Sequence, residues 1–245
     1  MDILEVEGIK KAFGDKRVLE SLSFGLAAGE LVCIIGKSGC GKSTLFHIVA
    51  GLLAPDGGHV RMEGADITGQ PGHVSYMLQK DLLLPFRTVE DNVILPLIIS
   101  GMKKQEARAR AGDLFEEFGL SGTEKLWPSE LSGGMRQRAA LMRTYLFSAK
   151  VALLDEPFSA LDALTKASMY DWYLKIQSRL SLSTLFITHD IDEALTLADR
   201  ILVLGNRPAS VIDEIVPASS KPRGANYRLS EEYQANKARL LEGLE

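Results

Sequence analysis

The residues whose types and spacing point most directly to chemistry form the run Gly36-Lys37-Ser38-Gly39-Cys40-Gly41-Lys42-Ser43-Thr44. Four residues separate Gly36 from Gly41, and Lys42 and Ser43 follow directly. Glycines let backbone N–H groups turn inward around phosphate oxygens without a Cβ in the way. A lysine reaches the outer phosphates as a point charge, and a serine hydroxyl can bind Mg²⁺. The run therefore predicts a phosphate-binding P-loop.

The residues on either side of this loop fit the same interpretation. Residues 31–35 are apolar and typical of a buried strand, and residues 44–50 have helical character and end at Gly51. A strand, a glycine-rich loop and a helix start place a bound anion at a helix N-terminus, where unpaired N–H groups favour negative charge. The alternative is a glycine-rich turn with a chance lysine, which the flanking pattern disfavours.

Composition limits the classes of protein to which the chain can belong. It has 245 residues, of which 46% are hydrophobic and 24% charged, and a formal net charge of -4. The mild acidity argues against a nucleic-acid-binding protein, and no apolar stretch approaches the roughly 20 residues of a membrane span. The acidic N-terminus is unlike a signal peptide, and Cys33 and Cys40 suggest no disulfide framework. We therefore expect the chain in the cytosol.

Strand and helix patterns alternate along most of the chain. Apolar strands are predicted at residues 31–35, 151–154, 184–188 and 201–204, with helices between them. This alternation is typical of a mostly parallel sheet that is covered on both faces. Residues 89–147 are mainly helical and are predicted to form an insertion into the sheet domain.

The C-terminal region differs from the rest in composition. We assign residues 1–217 to the α/β domain and residues 218–245 to a polar linker followed by a C-terminal helix. The spacing of apolar residues predicts one apolar side for that helix. Its members are Leu229, Tyr233, Leu240, Leu241 and Leu244.

A second chemically suggestive feature is a pair of carboxylates at a strand end. Asp155 and Glu156 directly follow the apolar residues 151–154. A buried strand could deliver Asp155 to a metal at the P-loop, and Glu156 could polarise water as a general base. Alone, the pattern also fits a solvated acidic pair in a loop. The P-loop upstream favours the metal-site interpretation.

The run that determines the family interpretation is Leu131-Ser132-Gly133-Gly134-Met135-Arg136-Gln137-Arg138. A serine and two glycines at a helix start offer bare N–H groups and a positive dipole end, which together make a second anion site. Helix capping by Ser132 would explain the serine but not the paired glycines. The run resembles the signature motif of the ATP-binding cassette family, the nucleotide-binding subunits of membrane transporters.

This resemblance covers residues 3–215 and implies a fold, two ligands and a dimer. The implied fold is α/β: a RecA-like P-loop NTPase core sheet with an antiparallel β subdomain and an inserted α-helical subdomain. The implied ligands are ATP and Mg²⁺. The implied homodimer is arranged head-to-tail, with each ATP between Lys42 of one copy and Ser132 and Gly134 of the other.

Other motifs of the family are present at matching positions. Gln79 matches the glutamine that contacts the metal and the attacking water, and His189 matches the histidine that senses the γ-phosphate. Phe13 takes the place of the aromatic residue that stacks on adenine. The implied catalytic residues are Lys42, Gln79, Glu156 and His189, and the implied metal contacts are Ser43, Gln79 and Asp155. The implied nucleotide-binding residues are Phe13, Val18, Gly36, Lys37, Ser38, Gly39, Cys40, Gly41, Lys42, Ser43, Thr44, Ser132, Gly133, Gly134 and Asp162.

The segment after Gln79 resembles a subgroup that serves importers of nitrate, sulfonates, taurine and pyrimidine precursors. Its core is Leu82-Leu83-Leu84-Pro85-Phe86. Three leucines before a proline do not suit a solvated loop, so we expect residues 79–89 to contact a membrane permease subunit. The alternative is that the leucines pack on the inserted helices. The resemblance also implies an indirect partnership with an extracellular solute-binding protein and a peripheral location on the cytoplasmic face of the membrane.

Two other functions remain open on the sequence alone. One is a soluble, non-transport cassette ATPase acting on ribosomes or DNA, although such proteins usually carry tandem cassettes or long coiled-coil insertions. The other is a regulatory module that binds ATP without hydrolysing it, which the presence of Glu156 and His189 disfavours. The sequence identifies neither the transported solute nor whether the second cassette is identical.

Overall fold

The structure, a computed structural model, describes residues 2–147, 150–223 and 225–244. Five residues of the predicted domain and linker ranges lie outside the described residues: Met1, Ser148, Ala149, Gly224 and Glu245. The strands are β1 (Asp2–Phe13), β2 (Lys16–Ala27), β3 (Leu31–Gly36), β4 (Gly57–Met62), β5 (Ala65–Asp66), β6 (Ser75–Met77), β7 (Val151–Asp155), β8 (Ser183–Ile187), β9 (Arg200–Leu204) and β10 (Val211–Ile215). The α-helices are α1 (Lys42–Val49), α2 (Val89–Val93), α3 (Leu95–Ile99), α4 (Lys104–Glu117), α5 (Gly133–Phe147), α6 (Ala163–Arg179), α7 (Ile191–Leu197) and α8 (Glu231–Leu244).

The central sheet has the strand order β10-β9-β3-β8-β7-β6. Its strands pair in parallel except β10, which runs antiparallel to β9 at one edge. Every residue of β3, β7 and β8 is buried. This explains why these strands have continuous apolar sequences rather than alternating ones, since a parallel sheet is covered on both faces.

The two faces of this sheet pack against different parts of the chain. In β3, Leu31, Cys33 and Ile35 belong to a core shared with the helices α2 to α8. Val32 and Ile34 point the other way, into a core shared with α1 and the first two strands. Side chains alternate between the faces of a strand, so one six-residue strand contributes to both cores.

A second, antiparallel sheet has the order β2-β1-β4-β5 and packs on the α1 side. The predicted α/β class, with a core sheet and an antiparallel β subdomain, is confirmed. The sequence analysis missed β5, which has only two residues, and β10, whose five residues lie at the edge of the central sheet. Edge strands carry weaker apolar patterns because one side stays in solvent.

The helices between β6 and β7 form the inserted helical part. Thr88 caps α2 by accepting a hydrogen bond from the Asp91 N–H. Pro96 lies in the first turn of α3, where the missing N–H costs nothing. The helix α5 contacts α2, α3 and β6, so it joins the insertion to the central sheet.

The C-terminal segment packs differently from the sequence prediction. Tyr233 and Leu240 are buried in α8 against α7, β9 and β10. Leu229 is 83% exposed and Leu241 is also exposed, so their placement on the apolar side was wrong. Leu229 precedes α8 and therefore does not share its helical face. The boundary between residues 217 and 218 stays a prediction.

The segment predicted to be a polar linker contains a buried arginine. Arg223 donates hydrogen bonds to the carbonyl oxygens of Leu195 (2.9 Å), Ala198 (2.7 Å) and Ser219 (3.0 Å). Helices end with carbonyl groups that lack partners within the helix, and Arg223 satisfies these at the end of α7. The segment is therefore anchored to the domain. None of the helices in the described ranges is long and apolar enough to cross a membrane.

We predict that Arg223→Met destabilises the protein by about 2 kcal/mol or more, because it leaves buried carbonyl groups without donors. Urea denaturation would measure this change in the free energy of unfolding. Arg239→Met is the matched control, since Arg239 forms an exposed ion pair with Asp213 and such pairs contribute about 0 to 1 kcal/mol. Equal effects of the two variants would contradict the anchoring role.

Candidate active site: a nucleotide cleft at the carboxyl edge of the sheet

The parallel strands bring four separate sequence segments to one edge of the sheet. The P-loop follows β3, Gln79 follows β6, Asp155 and Glu156 end β7, and His189 follows β8. The register aligns the strand ends, because Ile187 pairs with both Ile34 and Asp155. Ligands of open α/β sheets bind outside the carboxyl ends of the strands, and the predicted catalytic residues all lie there.

The P-loop wraps around an open space with Lys42 at its base. Gly41 has a φ of 130°, and a Cβ there would lie 2.9 Å from a Leu19 methyl group, so only glycine fits. Lys42 is buried, and its Nζ donates hydrogen bonds to the carbonyl oxygens of Gly36 (2.6 Å) and Lys37 (3.0 Å). These bonds hold the charged group inside the loop, where it can exchange a carbonyl for a phosphate oxygen.

Asp155 lies beside the P-loop, in a position where its carboxylate could bind a divalent cation. Its Oδ2 accepts hydrogen bonds from Ser43 Oγ (3.2 Å) and Tyr76 Oη (3.3 Å). Burial raises the pKa of Asp155, the neighbouring Glu156 raises it further, and the two hydroxyl donors lower it only in part. The nearest donors are neutral, so a bound cation would stabilise the ionised carboxylate.

The donor set at Asp155 fits Mg²⁺. Serine, aspartate and glutamine supply the hard oxygen ligands that Mg²⁺ prefers, and Mg²⁺ usually takes its other ligands from phosphates and water. In the described part of the chain, no group of three or more His, Cys, Asp or Glu side chains could hold a metal by itself. A cation here would therefore depend on a bound nucleotide as well as on the protein.

Glu156 lies between two polar side chains that come from different strands. Gln79 Nε2 donates to Glu156 Oε2 (3.2 Å), and His189 Nδ1 lies 3.0 Å from Glu156 Oε1. The φ of Glu156 is 47°, which is uncommon for a residue with a Cβ. Its backbone N–H donates to the Ile187 carbonyl, which fixes this turn to the end of β8. The arrangement can hold one carboxylate oriented for proton transfer.

These residues line a single cleft of about 600 Å³. The sequence-predicted residues in its wall are Ser38, Gly39, Gly41, Lys42, Ser43, Thr44, Gln79, Asp155, Glu156 and His189. Two contributions were missed by the sequence analysis: Tyr76, which contacts Asp155, and Arg207, which lines the cleft directly. Tyr76 lies in β6, and Arg207 lies in the turn after β9. Both strands were predicted, so a search of every predicted parallel strand and the turn after it could have found these residues.

The remaining predicted nucleotide-binding residues do not line this cleft. Phe13 is 53% exposed, with Lys11 Nζ 5.6 Å from its ring centre, and Val18 is buried behind Gly41. Ser132 Oγ accepts a hydrogen bond from the Met135 N–H (3.3 Å) at the start of α5. The others outside the wall are Gly36, Lys37, Cys40, Gly133, Gly134 and Asp162. Asp162 caps α6 through the N–H groups of Leu164 and Thr165.

Comparison with known proteins agrees with this geometry. The profile of the family described as "ABC transporter" matches residues 19–159, more than half of the chain. The chain belongs to the ABC transporter family. The formylaminopyrimidine import ATP-binding protein ThiZ of Halalkalibacterium halodurans is 44% identical over 87% of this chain and 84% of that protein. The aliphatic sulfonates import ATP-binding protein SsuB 2 of Burkholderia cenocepacia is 37% identical over 99% of this chain and 87% of that protein.

Solved structures support the fold of this ABC transporter subunit. An ATP-binding cassette of an ABC transporter superposes with a TM-score of 0.81 at 25% identity, covering 99% of this chain and 98% of the other. CbiO1 of Clostridium perfringens, part of the ABC transporter complex CbiONQ, has a TM-score of 0.80 at 23% identity, over 98% and 95% of the two chains. The prediction of an ATP-binding, ATP-hydrolysing subunit of importer type is confirmed. Subunits of this type work with separate membrane components.

Glu193 is a buried carboxylate behind this site, in α7 just after His189. Burial raises its pKa above the ordinary value of 4.5, and hydrogen bonds from Thr188 and Tyr170 offset this only in part. Asp190 raises the pKa and Lys166 lowers it, while the Cys33 thiol faces it from β3. Glu193 Oε1 is buried without a hydrogen-bond partner among the described residues. Ionisation of Glu193 therefore costs stability in the folded protein.

We predict that Glu193→Gln is more stable than the parent protein at pH 8 and that this advantage shrinks towards pH 5. A carboxyl group with a raised pKa binds its proton more tightly when folded, so stability falls as pH rises from 4.5 through the raised value. The effect is about 1.4 kcal/mol for each unit of pKa shift.

Urea midpoints of both proteins at pH 5 and pH 8 would measure the difference. Glu242→Gln is the control, since Glu242 is exposed on α8. An advantage of equal size at both pH values would contradict the explanation.

Proposed function

We propose that Glu156 is the general base of a Mg²⁺-dependent ATPase that powers solute uptake through separate membrane subunits. The observation that carries this proposal is the position of Glu156 between Gln79 and His189, in the same cleft as Lys42 and Asp155. A carboxylate held by two side chains has a fixed direction, which is what proton transfer from an attacking water requires.

Each residue has a role that its position supports. Lys42 would bind the outer phosphates, and Ser43, Gln79 and Asp155 would hold Mg²⁺. The bound cation would neutralise charge on the phosphate oxygens. Glu156 accepts the proton of the attacking water, while His189 keeps Glu156 oriented and contacts the γ-phosphate. All of these groups lie at one strand edge, so they need no large rearrangement among themselves.

The proposed active unit is a homodimer that encloses two ATP molecules. The N–H groups at the start of α5, preceded by Ser132, do not line the cleft of their own chain. A helix start with two glycines in its first turn offers free donors to an anion from outside. In a head-to-tail dimer, Ser132, Gly133 and Gly134 would close over the ATP of the partner copy, and Asp162 would lie at the same interface.

The proposed docking site for a membrane subunit is an apolar groove of about 290 Å³. It lies between the central sheet and the helical insertion and is lined by Leu52, Val74, Tyr76, Pro96, Arg143 and Phe147. Leu52 is 63% exposed, and Phe86 in the segment after Gln79 is 70% exposed. Exposed apolar patches of this kind mark interaction sites. The occupant we propose is a short helix from a cytoplasmic loop of the permease.

The sequence left open whether the leucines after Gln79 contact a permease or pack on the inserted helices, and the segment contains residues that fit each alternative. Leu83 is buried in the helical core, whereas Leu82 and Phe86 are exposed. The Asn92 amide binds this segment through hydrogen bonds with the backbone of Leu84 and Arg87. Arg143, from the groove wall, donates to the carbonyl of Leu82. A movement in the groove can therefore reach Gln79.

Tyr76 offers a second connection between the groove and the nucleotide cleft. Its ring lines the groove, and its hydroxyl donates to Asp155. The two sites thus share one strand, β6. The connection suits a transport function, in which a partner bound in the groove must be coupled to the nucleotide cleft.

The solute we propose is a small molecule such as a sulfonate or a pyrimidine precursor, with nitrate and taurine as further candidates. The support is the identity to the ThiZ and SsuB proteins, whose names state import of formylaminopyrimidine and of aliphatic sulfonates. An extracellular solute-binding protein would select the solute. The chain would then lie at the cytoplasmic face of the membrane, bound to the permease.

We predict that Glu156→Gln lowers ATP turnover by about 10² to 10⁴-fold, because the amide cannot accept the water proton. It should also trap an ATP-bound dimer, since amide and carboxylate have the same shape and the nucleotide stays uncleaved. Phosphate release and light scattering at saturating ATP would measure the two effects. Glu242→Gln, on the exposed face of α8, is the control.

A monomeric Glu156→Gln protein at saturating ATP would contradict the sandwich dimer. Undiminished phosphate release would contradict the role of Glu156 itself.

We predict that Leu52→Asp abolishes association with the membrane subunits and leaves the ATPase activity of the isolated chain within about twofold. A charge in an apolar groove would have to be buried without a partner when the permease helix docks. The measurement is co-purification from detergent-solubilised membranes of the native cells, with mass-spectrometric identification of multi-span proteins. Leu229→Asp, at another exposed leucine on the C-terminal segment, is the control. Retention of the permease by the Leu52 variant would exclude this groove as the docking site.

A further inference from the structure

A fifth parallel strand delivers one more residue to the edge where the nucleotide site lies. β9 pairs in parallel with β3, and Leu204 at its end is aligned with Gly36 at the start of the P-loop. The chain therefore leaves β9 beside the P-loop, and Arg207 follows three residues later. The side chain of Arg207 lines the same cleft as Lys42 and Glu156. No role for Arg207 follows from the residues assigned above.

The turn that carries Arg207 is fixed at its base. The Gly205 N–H donates to the Ser210 carbonyl (3.0 Å), which closes the turn. Ala209 is fully buried, its N–H donates to the Val18 carbonyl (2.8 Å), and its carbonyl accepts from the Glu20 N–H (3.0 Å). The turn is thus tied to β2. The backbone at Arg207 therefore has a defined position, and the Arg207 side chain extends from it into solvent.

The guanidinium group lies over the P-loop. Arg207 Nη2 is 3.5 Å from the position that a Cβ on Gly39 would occupy. Arg207 approaches from the β9 side of β3, whereas Asp155, Glu156 and His189 come from strands on the other side. A phosphate chain in the loop would therefore lie between the guanidinium and the catalytic carboxylate.

The charges in the cleft leave Arg207 available to a ligand. Asp155 is engaged by Ser43 and Tyr76, and Glu156 by Gln79 and His189. Within the described ranges, Arg207 takes part in no ion pair with a carboxylate. An arginine presents several N–H groups in one plane, which suits two oxygens of a phosphate better than the single charge of a lysine does.

We propose that Arg207 is a nucleotide-binding residue whose guanidinium contacts the outer phosphates of ATP in its own chain. With Lys42 it forms a pair of cations, one buried at the base of the loop and one closing over it from the β9 side. This inference rests on the proposed nucleotide cleft and adds to it a residue that discriminates ATP from ADP. The triphosphate presents more charge and more oxygens to Arg207, so its binding depends more on this residue.

The test compares Arg207→Ala, Arg207→Lys and the control Arg17→Ala, all in the full chain. Arg17 is an exposed arginine whose partner is Glu20, outside the cleft wall. Affinities for fluorescent ATP and ADP analogues would be measured with Mg²⁺ at low and at high salt. Phosphate release would give kcat and KM, and thermal unfolding would report stability.

We expect Arg207→Ala to weaken ATP binding about tenfold, which is about 1.4 kcal/mol, and ADP binding by clearly less. KM should rise with a much smaller change in kcat, and the salt dependence of ATP binding should fall. Arg207→Lys should recover part of the loss, and Arg17→Ala should stay within about twofold of the parent.

ATP affinity of Arg207→Ala within twofold of the parent would overturn the proposal. Equal losses for ATP and ADP together with a lower unfolding temperature would also overturn it, since they would assign Arg207 a structural role in the turn. Absence of ATP binding by the parent protein would instead refute the proposed nucleotide cleft, so the two failures are distinguishable.

Discussion

The alignment of five parallel strands is the constraint on which the active site depends. Strands that are far apart in sequence end side by side because of their hydrogen-bond register. The residues at or near these ends are Gly36, Asp155, Ile187 and Leu204. A shift of one residue in any strand would turn its side chains to the opposite face and move its end away from the others. The apolar side chains on both faces of β3, β7 and β8 prevent such a shift, because either core would then receive the wrong residues. The catalytic geometry is thus a consequence of core packing.

The site contains buried charged groups and an unfavourable backbone conformation, and a bound ligand could stabilise the charged groups. Lys42 is buried with backbone carbonyls as its partners, and burial raises the pKa of Asp155. Glu156 adopts a backbone conformation that costs about 1 to 2 kcal/mol for a residue with a Cβ. In the function proposed above, ATP with Mg²⁺ would supply the opposite charges for Lys42 and Asp155. On that proposal, part of the affinity for the nucleotide would come from groups that folding leaves incompletely satisfied.

Communication with a membrane partner depends on polar contacts across the boundary between the sheet and the helical insertion. Asn92 is fully buried, and its side-chain amide forms hydrogen bonds with the backbone of the segment after Gln79. Arg143 reaches the same segment from α5 and also lines the apolar groove. These contacts attach the segment to the helices. Gln79 donates a hydrogen bond to Glu156, so a chain of contacts joins the helices to the proposed general base.

The sequence by itself determined those features in which neighbouring residues act together. The P-loop, the helix start at Ser132, the strand ending in Asp155 and Glu156, and the alternation that predicts a parallel sheet all depend on residues a few positions apart. The same was not true of the C-terminal segment. The sequence offered no way to see that Arg223 would be buried or that Leu229 would be exposed.

Only the tertiary structure decided which distant residues meet. Tyr76 lies 79 positions from Asp155, and nothing in either segment indicates the contact between them. Arg207 acquires its position over Gly39 because β9 pairs with β3 and because β2 anchors the following turn. The groove likewise exists only where the sheet and the insertion approach each other. The physical reason is that local preferences fix strands, helices and turns, whereas contacts between them are set by the packing of the whole core.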